Sequence, residues 1–385
     1  MVLRGDARID VNGRGVGGAR RLPRVTLRRT ALTETHRAAG ARMADFGGWE
    51  MPIEYPTGVV AEHTAVRTAV GVFDVSHMGK LVLSGPGAAA ALNRVLANDL
   101  DRIGPGQAQY SMLCTEAGGV VDDLIVYRLG DDEVRIVPNA ANAAAVRDAL
   151  RSGLPEEITL TDLHEEEGIL AIQGPGSRDV MTALGLLSPG ADLPYMAFTS
   201  AEFDGIPAVI CRTGYTGEHG YEVIIGVQAL PALWAQVAAH ATPCGLGARD
   251  TLRTEMGYPL HGQDLSTSIT PVEAGLAWAV GWDKPEFVGR QALVAQRAAG
   301  RTRALRGLLL EGRGVPRAHM PVLYPDGSPA GGTTSGTFSP TLKSGIALAL
   351  VDPVLTFGDE VVIDIRGRAV PARIVRLPFV ESSPK

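Results

Sequence analysis

One eleven-residue segment in the middle of the chain combines the side chains that a polar, ring-shaped ligand needs in its binding site. It reads Arg-Thr-Gly-Tyr-Thr-Gly-Glu-His-Gly-Tyr-Glu over residues 212–222. Its three glycines let the backbone adopt positive φ angles and approach a ligand closely. Tyr215 and Tyr221 offer stacking faces with hydroxyl groups, and Glu222 offers a bidentate acceptor. Residue types alone also fit a glycine-rich hairpin with solvated charges, and that alternative stays open here.

A second segment holds two adjacent carboxylates where a turn becomes a strand. Asp122 and Asp123 follow Gly118-Gly119 and open an apolar run. Strand alternation sends one of these side chains inward and the other outward. A carboxylate that faces inward is costly to bury without a partner. Because Glu222 ends the turn that we interpret as equivalent in an internal repeat, we expect Asp122 and Glu222 to face one cleft.

Most chemistries with recognisable motifs are not indicated by this sequence. It has no His pair at i, i+4 and no Cys-x-x-Cys, so we expect no metal site. It also lacks a Walker loop and a G-x-S-x-G elbow. Arg249 carries a planar fork that suits a carboxylate or a heteroaromatic edge, although a helix-surface salt bridge is an equal alternative. Carboxylates, tyrosines and an arginine together suit a planar heterocycle such as a pterin, whose N–H groups form a donor pair.

Length and charge narrow the class of protein. A chain of 385 residues predicts two or three domains. Residues 1–29 carry eight Arg and two Asp, so the remainder holds 28 basic and 40 acidic residues, and this acidic body argues against a nucleic-acid partner. No apolar run approaches the roughly 18 residues that span a bilayer, so we expect no membrane contact. Three scattered cysteines fit a reducing compartment, and we predict a cytoplasmic bacterial protein.

The elements that must position these residues form a repeat. A strand, a Gly-Pro-Gly break and a helix occur at 80–83, 85–87 and 88–97, and again 89 residues later from 168 to 184. Three strands and a second helix follow each time, which is typical of a split βαβ unit. From about residue 303 the pattern changes to short strands separated by Gly and Pro, which predicts an all-β, barrel-like domain.

Six runs of the sequence resemble the aminomethyltransferase (T-protein) family of the glycine cleavage system. These runs are residues 40–52, 73–78, 118–126, 212–222, 245–255 and 334–341. They occur in the family's order and spacing, over about residues 27 to 380. The resemblance implies an α+β fold of three domains in a clover-like arrangement, with two related ferredoxin-like units and a C-terminal β-barrel.

The domain ranges that follow are predictions. They are a disordered extension over 1–26, a discontinuous first α+β domain over 27–55 and 155–280, a second α+β domain over 56–154, and the barrel over 285–385.

The resemblance also implies the reaction and its partners. The lipoyl arm of H-protein would deliver an aminomethyl group, and tetrahydrofolate as cosubstrate would take the one-carbon unit while ammonia leaves. No metal is implied. A basic patch of Arg290, Arg297, Arg301 and Arg303 is one candidate for docking H-protein, although solvated surface charge is the default.

Residue by residue, the resemblance assigns the catalytic carboxylate to Asp122, beside the folate N5/N10 region. Glu222 matches the carboxylate on the pterin edge. The remaining matched residues are expected to contact folate or substrate, and they are Tyr110, Asn139, Tyr215 and Arg249.

Three other interpretations fit the sequence less well. A folate domain of the dimethylglycine or sarcosine dehydrogenase type would carry a flavin domain ahead of it, which residues 1–26 cannot form. A folate-binding accessory protein for iron–sulphur cluster maintenance is expected to present a reactive cysteine motif, which Cys211 and Cys244 do not form. A catalytically dead paralogue is disfavoured because Asp122, Glu222 and Arg249 occur together. The C-terminal end lacks the tyrosine that some relatives place near the substrate.

Overall fold

The structure, a computed structural model, describes residues 26–382 and 384, so the predicted extension lies almost wholly outside the described residues. The α-helices are α1 Thr33–Ala38, α2 Val59–Thr68, α3 Ala88–Asn93, α4 Ala143–Gly153, α5 Ser177–Ala183, α6 Leu230–Ala238, α7 Leu246–Glu255 and α8 Arg290–Ala299, with 3-10 turns at Leu100–Arg102 and Ala277–Ala279.

The first thirteen strands precede the C-terminal region. They are β1 Arg42–Phe46, β2 Trp49–Glu54, β3 Gly71–Asp74, β4 Leu81–Ser84, β5 Gln107–Cys114, β6 Val120–Arg128, β7 Glu133–Pro138, β8 Thr159–Asp162, β9 Glu167–Gln173, β10 Phe198–Phe203, β11 Ile206–Cys211, β12 Gly220–Gly226 and β13 Thr242–Pro243. The last six are β14 Ala304–Leu310, β15 Pro321–Leu323, β16 Pro329–Ser339, β17 Ser344–Val351, β18 Glu360–Asp364 and β19 Ala369–Val375.

Two antiparallel-rich sheets repeat one arrangement. The five-stranded sheet has the order β5-β6-β7-β4-β8, and the six-stranded sheet has the order β10-β11-β12-β9-β3-β13. In each, a central strand leads through a short helix into a three-stranded meander and then a second helix. Leu92, Val95 and Leu96 are buried as their spacing predicts, although α3 itself ends at Asn93. The predicted α+β class with two related units is confirmed.

The repeat contains an exchange of strands that the sequence did not predict. β3 directly precedes β4 in the chain but pairs with β9, and β8 directly precedes β9 but pairs with β4. The predicted domain ranges place β3 in the second unit and β8 in the first, whereas hydrogen bonding places each strand in the other unit's sheet. These two four-residue strands are too short to carry a hydrophobic period of their own.

A pair of glycines shows why the exchanged strands fit. Gly85 and Gly174 occupy equivalent positions, with φ angles of +139° and +130°. A Cβ on Gly85 would lie 2.4 Å from the Glu157 carbonyl oxygen, just ahead of β8, and one on Gly174 would lie 2.3 Å from that of Ala69, just ahead of β3. Only glycine allows both the backbone conformation and the close approach.

The two sheets face each other, with helices on their outer sides. Residues of α5 and α6 share one core with the six-stranded sheet, and residues of α3 and α4 share a second core with the five-stranded sheet. A third cluster fills the space between the sheets, with Tyr127 from β6 and Cys211 and Ile224 from β11 and β12. A cleft between the two units therefore has apolar walls at its base.

The C-terminal region closes into a six-stranded barrel of order β14-β17-β16-β15-β18-β19. The predicted barrel is confirmed. The sequence predicts five strands here, at 304–310, 321–323, 347–351, 360–365 and 369–375, and β16 is the strand that it misses. Its polar, glycine-rich sequence Gly-Gly-Thr-Thr-Ser-Gly-Thr conceals it from pattern analysis, because strands are recognised from β-branched and apolar residues. Across the described ranges, no helix is long and apolar enough to cross a membrane.

Candidate active site

A cavity of about 550 Å³ lies between the two sheets. Its base is apolar and is built by Ile125, Val137, Ile169 and Ile224, which come from both sheets. Its polar lining comes from the ends of strands, from the 212–220 loop and from α7. The polar and aromatic lining residues are Phe46, His77, Tyr110, Asp123, Asn139, Tyr195, Thr213, Tyr215, Glu222, Arg249, Asp250, Arg253, Tyr258, His261, Gln263 and Trp278.

The structure brings five of the six predicted site residues to this cavity. They are Tyr110, Asn139, Tyr215, Glu222 and Arg249. The sixth, Asp122, is fully buried and is not among the described residues that line the cavity. Its neighbour Asp123 lines the cavity instead. Alternation along β6 requires that only one of the two adjacent carboxylates faces the cavity. The assignment of the cavity carboxylate to Asp122 is therefore corrected to Asp123.

The two aspartates share one amide. Asn139 Nδ2 donates to Asp122 Oδ1 at 3.0 Å and to Asp123 Oδ1 at 2.9 Å, and the Tyr110 hydroxyl donates to Asp123 Oδ2 at 3.1 Å. Burial and the adjacent Asp123 carboxylate raise the pKa of Asp122. Burial likewise raises the pKa of Asp123. The site thus holds two neighbouring carboxyl groups, and deprotonating both is costly.

The glycine-rich loop presents Glu222 to the opposite side of the cavity. Thr213 Oγ1 donates to Glu222 Oε2 at 2.6 Å. Glu222 lies on β12, which corresponds to β7 in the other unit, whereas Asp122 and Asp123 lie on β6. The expectation that Glu222 and Asp122 end equivalent turns is therefore wrong, although Glu222 and Asp123 do line the same cavity.

The Tyr215 ring lines the cavity and is fixed at both its hydroxyl and its face. Its hydroxyl donates to the Pro259 carbonyl oxygen, and its ring stacks on that of Tyr258 with centroids 5.7 Å apart. Burial raises the pKa of Tyr215, so the phenol stays protonated. On the opposite side, the Tyr110 ring stacks on Trp278 with centroids 5.7 Å apart.

Two arginines line the cavity, and Arg253 is paired with Asp250 and Asp264 whereas, in the described ranges, Arg249 is not. The guanidinium carbon of Arg249 lies 4.8 Å from the centre of the Tyr215 ring. Its Nη1 atom is buried and has no hydrogen-bond partner among the residues described. Burial lowers the pKa of Arg249, while the Glu222 carboxylate acts in the opposite direction. The expected alternative of a salt bridge with Asp250 or Glu255 is not found in this part of the chain, since Asp250 pairs with Arg253.

His77 and His261 line the cavity and were not predicted as site residues. His77 is buried, and burial lowers its pKa to about 3, so its imidazole is neutral. Its Nδ1 atom has no partner within the described structure. A lone histidine in a sequence is more often structural than functional, so pattern analysis offered no signal to find either residue.

The donor and acceptor set suits an organic ligand. The Glu222 carboxylate can bind the N–H groups of a planar heterocycle, and the Arg249 guanidinium can bind a negatively charged group at the same time. Asp123, with the Tyr110 hydroxyl, adds a second carboxylate. In the described part of the chain, no group of three His, Cys, Asp or Glu residues is arranged to hold a metal ion.

Comparisons with known proteins give the family. A family model described as "GCVT N-terminal domain" matches residues 32–284, and one described as "Glycine cleavage T-protein C-terminal barrel domain" matches residues 303–381. The chain therefore belongs to the glycine cleavage T-protein family. It is an aminomethyltransferase of the glycine cleavage system, as the sequence predicted.

Relatives and a solved structure agree with this assignment. An aminomethyltransferase from Parafrankia sp. is 56% identical and covers 93% of this chain and 99% of the relative. One from Mycobacterium bovis is 54% identical and covers 91% and 96%. The crystal structure of the glycine cleavage system aminomethyltransferase T from Bartonella henselae matches with a TM-score of 0.88 and 34% identity, covering 93% of this chain and 99% of that one. Nothing in these matches favours an accessory binding protein.

Proposed function

We propose that this aminomethyltransferase moves the one-carbon unit from aminomethyl-lipoyl H-protein to tetrahydrofolate. The products are 5,10-methylenetetrahydrofolate, ammonia and dihydrolipoyl H-protein. The observation that supports this most directly is that Glu222, Arg249 and Asp123 lie together in one cavity with apolar walls. Its volume falls within the roughly 300–1,000 Å³ that is usual for small-molecule sites.

Each polar group has a distinct task in this proposal. Glu222 accepts hydrogen bonds from the ring N–H and amino group of the pterin, because its Oε2 atom already has a fixed donor and the carboxylate is oriented. Arg249 binds an oxygen atom of the ligand with the Nη1 donor that lacks a protein partner. Tyr215 and Tyr110 supply aromatic walls to the two sides.

Asp123 takes the catalytic role that the resemblance assigned to Asp122. A carboxylate in a water-poor cavity stabilises a cationic, iminium-like group on the one-carbon unit. The remaining rate enhancement comes from holding the folate nitrogens and the aminomethyl carbon in contact, without a covalent enzyme intermediate. Asn139 orients the Asp123 carboxylate through the bond from its Nδ2 atom.

The partner that presents the lipoyl arm is H-protein. The arginine patch considered above is a less suitable docking surface for H-protein, because three of its four arginines already have contacts within this chain. Arg290 donates to the Lys284 carbonyl oxygen, Arg303 pairs with Glu273, and Arg297 covers Trp282. We place the reaction in the bacterial cytoplasm, which suits the three free, buried cysteines.

The test is an assay of the purified protein with aminomethyl-loaded H-protein, with and without tetrahydrofolate, in which ammonia release is measured. We expect rapid release only when folate is present. The Asp123→Asn variant should lose turnover while its folate affinity, measured by equilibrium titration, changes little. Tight folate binding by the unmodified protein without ammonia release would refute the proposed transfer.

A further inference from the structure

Asp122 lies outside the cavity, yet donors surround its buried carboxylate. Oδ2 accepts a hydrogen bond from the backbone N–H of Asn139 at 2.9 Å. Oδ1 accepts from Asn139 Nδ2 at 3.0 Å and from Asn142 Nδ2 at 2.6 Å. Amide N–H groups cannot accept hydrogen bonds, so a protonated Asp122 would have to point its hydrogen at a donor. These contacts therefore stabilise the anionic form of Asp122.

Asp123 has a different set of contacts. Its Oδ2 atom is bonded to the hydroxyl of Tyr110 at 3.1 Å, and its Oδ1 atom accepts from Asn139 Nδ2. A tyrosine hydroxyl donates to a carboxylate but can turn and accept from a carboxyl O–H. Asp123 can therefore take up a proton and keep its hydrogen bond, which Asp122 cannot do.

Two other titratable groups face Asp123. Asn142 Nδ2 donates to His261 Nδ1 at 2.9 Å, and His261 Nε2 is 3.2 Å from the Val120 carbonyl oxygen. These bonds engage both ring nitrogens, with Nδ1 accepting from Asn142 and Nε2 facing the Val120 carbonyl oxygen. The Tyr215 hydroxyl is likewise engaged with a backbone carbonyl oxygen. Neither group is placed to compete with Tyr110 for the proton of Asp123.

We propose that Asp122 is a positioning residue that keeps the negative charge of this carboxylate pair, so that Asp123 is the member that gains and loses a proton in the cavity. The inference rests on the proposed function and names the proton carrier within it. Two like charges in one buried site disfavour double ionisation. With Asp122 held as the anion by three amide donors, the shared proton resides on Asp123.

The proton balance of the transfer gives such a carrier a task. One C–S and one C–N bond of the aminomethyl group break, and two C–N bonds to the folate form. The N–H protons of the two reacting folate nitrogens end on the lipoyl sulfur and on the departing ammonia. Asp123 first gives the proton that it carries to the leaving group, and the resulting carboxylate stabilises the cationic one-carbon unit. It then takes up a proton from a folate nitrogen, so it is unchanged at the end of the cycle.

The first experiment compares pH profiles of kcat for Asp122→Asn and Asp148→Asn. Asp148 is exposed on α4 and paired with Arg147, so its variant has the same change in net charge without touching the pair. Removal of the Asp122 charge makes Asp123 easier to ionise. We expect the limb of the profile that Asp123 controls to move about one pH unit or more toward acid in Asp122→Asn, and to stay in place in Asp148→Asn. Equal profiles in the two variants would overturn the proposal.

A second measurement covers the case in which Asp122→Asn does not fold. Carbon-13 labelling of aspartate carboxyl groups allows each to be titrated by NMR in the unmodified protein, and the signal missing from Asp123→Asn identifies Asp123. We expect this signal to titrate above the usual aspartate range, because burial raises the pKa of Asp123. An Asp123 signal that stays ionised down to ordinary aspartate pH overturns the proposal. Failure of folate-dependent ammonia release by the unmodified protein would instead refute the proposed function.

Discussion

Replacing Arg249 by methionine should weaken folate binding and leave the free protein as stable as before or more stable. The guanidinium is partly buried, its Nη1 atom lacks a partner in the described part of the chain, and burial lowers its pKa. The free protein thus carries the cost of a desolvated cation that a ligand relieves. Methionine has a similar volume, so it fills the site and removes the charge.

The expected magnitude follows from the contact that is lost. A hydrogen bond to a charged group contributes about 1.5–3 kcal/mol, and each 1.4 kcal/mol is a tenfold change in affinity. The dissociation constant for tetrahydrofolate should therefore rise by about 10- to 150-fold. In the absence of ligand, removal of an uncompensated buried charge should keep the melting temperature the same or raise it.

The assay is an anaerobic calorimetric titration with tetrahydrofolate, combined with differential scanning calorimetry of the ligand-free protein. Arg249→Lys is the matched control, since it keeps the charge but not the planar fork, and it should lie between the other two proteins in affinity. An Arg249→Met variant with unchanged folate affinity would refute the assignment. A large drop in its melting temperature would show that Arg249 stabilises the fold through contacts that the ligand does not replace.

Three further outcomes are expected. Glu222→Gln should weaken folate binding by roughly 1–3 kcal/mol, measured in the same titration, and unchanged affinity would remove this carboxylate from the site. Gly119→Ala, just before β6, would place a Cβ 1.9 Å from the Thr267 carbonyl oxygen, so it should lower both melting temperature and turnover. In the control Gly130→Ala, the new Cβ meets no atom within 4 Å, so both quantities should stay unchanged. Glu255 has a pKa lowered to about 2, against burial, by its histidine, serine and arginine partners. The contribution of Glu255 to the free energy of unfolding is therefore complete above about pH 5. This free energy should fall by about 3 kcal/mol as the pH is lowered from there toward 2. Chemical denaturation at several pH values checks this, with Glu255→Gln expected to flatten the dependence.

Much of the fold could be predicted because the decisive signals are local. β-Branched or apolar runs separated by Gly or Asp-Gly turns predict strands at 198–203, 206–211 and 369–375. The structure has strands with these same bounds. The apolar spacing over 58–68 likewise predicts a helix. In the structure this helix begins one residue later, at Val59, after a glycine with a φ angle of +81°. Periodicity and turn chemistry are properties of a few neighbouring residues, so one sequence is enough to read them.

The choice between Asp122 and Asp123 could not be made in the same way. Alternation shows that one of two adjacent strand residues faces the cleft, but it does not show which, and a register error of one residue exchanges them. The answer depends on which face of β6 meets the other sheet, and that is set by contacts far away in the chain. His77 and His261 could not be predicted as site residues for the same reason. Only the folded structure brings His261 to Asn142 and places both histidines in the cavity with Arg249.

The exchange of β3 and β8 ties together the two walls of the cavity, which come from two different units. Each unit completes its sheet with a strand that the chain supplies from beside the other unit, so the two sheets cannot separate without breaking the β3–β9 and β4–β8 ladders. His77 lies on the short connection between β3 and β4, and this connection passes from one sheet to the other at the cavity wall. The strand exchange therefore limits how far the sheet that carries Asp123 can move from the sheet that carries Glu222, so that catalysis can rest on orientation.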